Sequence, residues 1–100
     1  MIDFPDSSTS DTPSLYLRPP LAALWWLQKG GYGMGVEWEK AHSICQSKEG
    51  DPEHDIVHAL CHLIEGDLQN ADYWYDRVGD VKQSDDPATE WCRIVQKLTV

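Results

Sequence analysis

Residues 51–79 read DPEHDIVHALCHLIEGDLQNADYWYDRVG. Asp51 before Pro52 is a helix start: a carboxylate free to cap the first exposed N–H groups, then a residue with no N–H to satisfy. Ile56, Val57, Leu60, Leu63 and Ile64 then recur at helical spacing and predict a single apolar stripe. Gly66 ends that helix, because glycine takes the left-handed cap conformation at little cost. Asp67 begins another, in which Ala71, Trp74, Tyr75 and Val78 form the next stripe. The segment therefore predicts two helices joined by a tight turn.

The same signals extend through the chain. They predict helices over about 19–29, 36–48, 52–65, 67–78 and 87–98, with no window alternating at the period of two expected of a strand. Leu21, Leu24 and Trp25 share a face of the first helix, Trp38, Ala41 and Cys45 of the second, and Trp91, Ile94, Val95 and Leu98 of the fifth. The expected fold class is all-α: two antiparallel helical hairpins plus a C-terminal capping helix. Residues 1–16 are rich in Ser, Thr, Asp and Pro and read as a flexible acidic tail ahead of a single helical domain over 17–100.

Eight basic against 17 acidic residues give a formal charge of −9, which disfavours nucleic acid and anionic membrane as partners. Nothing approaches the ~20 apolar residues of a membrane span. The N-terminus shows neither the basic nor the apolar region of a secretory signal. Cys45, Cys61 and Cys92 are an odd set without CxxC spacing, so the expectation is buried, reduced thiols in a cytoplasmic protein, with no cofactor. The run 80–86 reads as a solvated acidic connector, and no nucleophile has a base and an orienting group at a recognisable spacing.

The glycines of KGGYGMG, residues 29–35, do not form a phosphate cradle: a helix precedes them rather than a strand, and the G-x-G-x-x-G interval is missing. Their place is explained by an internal repeat. ALWWLQKGG from Ala23 aligns with ALCHLIEGD from Ala59 at an offset of 36, whereas EWEKAHS aligns with DLQNADY at an offset of 30. The loop after Lys29 is thus an insertion of six residues in the first of two related hairpins.

EGDLQNADYWYDRVG, residues 65–79, resembles the second half of a tetratricopeptide or Sel1-type hairpin, with Ala71, Trp74 and Tyr75 at the matching positions. Together with ALWW, QKG, W-x-KAH and VHALCH, it resembles a group of small bacterial proteins carrying these blocks over residues 20–79 and a terminal Glu-Trp helix. That resemblance implies a groove lined by the outer faces of the first and third helices. Trp26 is then an anchor flanked by His58 and His62, with Lys29 and Glu65 at the rim, and the implied role is a non-enzymatic module for a protein or peptide partner. Packing of Trp26 as core is the alternative, and a homo-oligomer contact is another use of the same apolar surface.

His54, His58 and His62 stand at i, i+4 and i+8. At 100° per residue they fall about 120°, 160° and 200° from Leu60, away from the apolar stripe. The face is expected to be solvated, so truncating His58 should leave the fold intact. The competing functional reading is a metal held by His54, His58 and His62, since neutral imidazoles on successive turns suit zinc-like ions. His42 reads as an isolated histidine near a helix end.

Overall fold

The computed structural model describes residues 10–99. Five helices, and no strand among those residues, bear out the all-α expectation: α1 Pro19–Lys29, α2 Val36–Gln46, α3 Pro52–Glu65, α4 Leu68–Val78 and α5 Pro87–Thr99. The boundaries agree with the sequence reading to within two residues. Asp51 and Asp67 act as N-caps, their side chains accepting from the N–H of His54 and Asn70. Gly66 sits at φ 86°, where its N–H donates to Leu63 and that of Asp67 to His62, closing the two-residue turn between α3 and α4.

Of the expected tail, residues 1–9 lie outside the described residues. Residues 10–18 carry no helix, and Leu15 and Tyr16 are exposed. Arg18 ties this segment to the body by an ion pair with Glu53 and by donating to the carbonyl of Leu98 at 2.6 Å.

α3 packs against each of the other helices, α1 pairs with α2, and α5 lies across α1 and α3. The predicted stripes meet around it: Leu24 and Leu27 of α1, Ala41 and Cys45 of α2, Ile56, Val57 and Leu60 of α3, Tyr75 of α4 and Ile94 of α5. Trp91 fastens α5 to α1, its Nε1 donating to the carbonyl of Leu24 at 2.7 Å. In the loop after α1, Tyr32 takes the left-handed conformation at φ 59°, and its ring packs edge-on against Trp91 at 5.7 Å.

This packing corrects several expectations. A helix with neighbours on all sides has no solvated face, and His54, His58 and His62 are only 5%, 2% and 7% exposed. Cys45 and Cys61 are buried as expected, but Cys92 is exposed. Nor is the acidic connector wholly solvated. The buried Asp80 carboxylate pairs with Arg93 at 3.0 Å, and Arg93 in turn reaches Glu90 at 2.8 Å. Glu90 is completely buried, which the sequence reading did not anticipate.

Candidate functional site

The spacing of four on α3 puts His58 and His62 on one side of the helix, one turn apart, and their rings stack with centroids 4.9 Å apart. α2 faces that side and supplies His42, whose Nε2 lies 3.1 Å from Nε2 of His58. α4 supplies Trp74, stacked on His58 at 4.1 Å, and Trp38 of α2 is stacked on His42 at 4.6 Å. Trp38 is held in turn by its Nε1, which donates to the carbonyl of Cys61 at 2.8 Å. Two indoles thus clamp the imidazoles.

His54 does not join them. Its Nδ1 lies 2.7 Å from Oδ2 of Asp51, so it completes the N-cap of α3. The expected trio of His54, His58 and His62 is therefore replaced by His42, His58 and His62, in which one ligand atom from each lies within 4.8 Å of the others. Glu65 backs this set, its Oε1 lying 2.9 Å from Nδ1 of His62. His62, Glu65 and the exposed Asp67 form a second, outer set at similar spacing.

A buried imidazole resists protonation. Burial is the main cause that lowers the His58 pKa to about 3, followed by the neighbouring His42, His62 and Arg77. His42 is lowered as well, by burial and then by His62, against the pull of Glu65 and Glu49. His58 is accordingly neutral near pH 7, with a lone pair to offer. Its other nitrogen, Nδ1, is buried without a hydrogen-bond partner among the described residues, an arrangement that costs about 1–3 kcal/mol.

Trp26 and the histidines meet different neighbours. α5 covers parts of α1 and α3, and Trp26 turns toward α2, where Lys40 lies 5.1 Å over its ring. Trp26, Val36, Glu39, Lys40, Ser43 and Ile44 line an open hollow of about 460 Å³ that contains no histidine. Trp26 therefore lines a surface with α2 in which His58, His62 and Glu65 take no part. The residue missed by sequence reasoning is His42. Its one local signal is its place four residues after Trp38, and nothing in that spacing says that α2 turns it toward α3.

No known protein family, curated protein or solved structure matches the chain.

Proposed function

We propose that this protein is a small, non-enzymatic helical binding domain whose ligand site is the imidazole cluster of His42, His58 and His62. The observation that carries the reading is the convergence of three imidazoles at the junction of α2, α3 and α4, with Nε2 of the buried His58 lying 3.1 Å from that of His42. A leucine would fill such a position without a polar group to satisfy, so an imidazole there is stability forgone in favour of a function. A tetratricopeptide-like course, with two antiparallel hairpins and a closing helix, belongs to the same reading. It is supported by the tight turn at Gly66 and the shared stripes of α1 and α3. Cytoplasmic residence is supported by the three free thiols.

The test is His58→Leu, measured by urea unfolding near neutral pH with a chelator present. The expected result is a folded protein, more stable by about 1 kcal/mol, because the unsatisfied nitrogen is removed while the half-exposed His42 turns to water. A loss of more than about 1 kcal/mol would make the cluster a packing device and end the reading.

A second reading, docking of a protein partner or a second copy of the chain, is favoured by the hollow at Trp26. Val36 on its wall is 61% exposed, and Met34 just before α2 is 55% exposed. Recovery of partners from native cells with Trp26→Ala as the control tests it. Capture should fall at least about tenfold, the loss of one aromatic anchor, while the helical circular-dichroism signal is kept. Equal capture by both forms removes this surface from consideration.

A further inference from the structure

We propose that His42, His58 and His62 together bind one divalent d-block cation of the zinc class, joining α2 to α3. The inference rests on the histidine cluster being the binding site, and it names the ligand.

The donor geometry is largely formed. Nitrogens about 2.0–2.1 Å from a tetrahedral zinc stand roughly 3.3 Å from one another. Nε2 of His42 and Nε2 of His58 are already 3.1 Å apart. With every ligand atom of the trio inside 4.8 Å, the third needs to move inward by at most about 1.6 Å, within reach of a side-chain rotation. Without a cation, two facing Nε2 atoms share a single proton, and the third imidazole has no place in that bond. A cation accepts all three lone pairs at once.

The surroundings suit the same ion. Glu65 at Nδ1 of His62 leaves Nε2 as the nitrogen free to ligate, the carboxylate–histidine arrangement that orients metal-bound imidazoles. Glu65 is thus a positioning residue. An all-nitrogen set favours zinc, cobalt or nickel over calcium or magnesium, which require oxygen ligands. Trp38 and Trp74 hold two of the rings in place, so little ordering is left to binding. Arg77 carries the opposing charge, but it is exposed over the Trp74 ring, where solvent and salt screen it. Three protein ligands leave a fourth position, and the half-exposed His42 places it within reach of water.

The outer trio of His62, Glu65 and Asp67 shares His62, so one ion cannot use both sets in full. Calorimetric titration of the chelator-stripped, tag-free full chain with Zn²⁺ near neutral pH separates them. The expected result is one ion per chain with a Kd of about 1 µM or tighter, and Co²⁺ giving the intense visible bands of a tetrahedral site. His42→Ala and His58→Ala should each weaken binding at least about 100-fold, Glu65→Gln roughly 10- to 100-fold, and Asp67→Asn should leave it unchanged. Should His58→Ala not fold, His42→Ala and the cobalt spectrum still decide, because His42 is only half-buried. Absence of binding at about 100 µM Zn²⁺, or binding retained in His42→Ala and lost in Asp67→Asn, overturns the proposal. A chain that binds no ion although His58→Leu is stabilised would refute the metal alone and leave the histidine cluster standing as a binding site.

Discussion

Glu90→Ala is expected to lower unfolding free energy by about 3–5 kcal/mol, a large share of the 5–15 kcal/mol typical of a small domain. Both oxygens of this buried carboxylate are engaged. Tyr75 donates its hydroxyl at 2.8 Å, Arg93 donates through Nε and Nη2 at 2.9 and 2.8 Å, and the N–H of Gln83 donates at 3.2 Å. Burial pushes the Glu90 carboxyl up, but the bonds from Arg93 and Tyr75 outweigh it and hold the pKa below the ordinary value. Truncation strands a buried hydroxyl and part of a guanidinium at the join between α4, α5 and their connector. Asp80 still pairs with Arg93, which places the loss toward the lower end of the range. Urea unfolding checks the free energy, and thermal unfolding should show a midpoint lower by more than about 12 °C. A loss below about 1 kcal/mol would mean that water replaces the network at little cost.

Acidification of the metal-free protein should be nearly as damaging. The His58 pKa is lowered in the folded chain from 6.5 to about 3, and that of His42 is lowered too. Above pH 6.5 both folded and unfolded chains keep these rings neutral, and no stability is lost. Below it the unfolded chain takes up protons that the folded chain refuses, so stability falls as pH falls, until the folded pKa is reached. One such group contributes about 1.4 kcal/mol per pH unit. Between about pH 7.5 and about pH 5 the loss from His58 is then about 2 kcal/mol, with a smaller part from His42. That window stops above the ordinary carboxylate range, so Glu90 and Asp51 contribute little to it. Urea unfolding at both ends, with chelator present, measures the difference, and His58→Leu should abolish most of it. An undiminished slope in His58→Leu would assign the acid sensitivity to other groups.

The legibility of the chain follows the range of the interactions. The caps Asp51 and Asp67, the stop at Gly66 and the stripe from Ile56 to Ile64 act within one or two turns, and each was readable from the residues alone. The stripe of the fourth helix places Trp74 and Tyr75 in the core, and both are buried. His58 was misplaced because a periodicity argument assumes one apolar stripe facing one core. α3 instead has partners all around, and a histidine can be buried where rings stack on it. Glu90 was missed for a similar reason: its partners Tyr75 and Gln83 come from α4 and the connector, at separations that no spacing rule on α5 contains.

Local chemistry thus established the five helices, their ends and their apolar faces, since those depend on contacts within a few residues. Helix order around α3 settled everything concerning the site. It turned Trp26 to a hollow beside α2, left His54 to its cap, and brought His42 across from α2 to stand 3.1 Å from His58. Those outcomes depend on how ridges of five helices fit together, and amphipathic spacing says which face of a helix is apolar, not which neighbour will cover the opposite one.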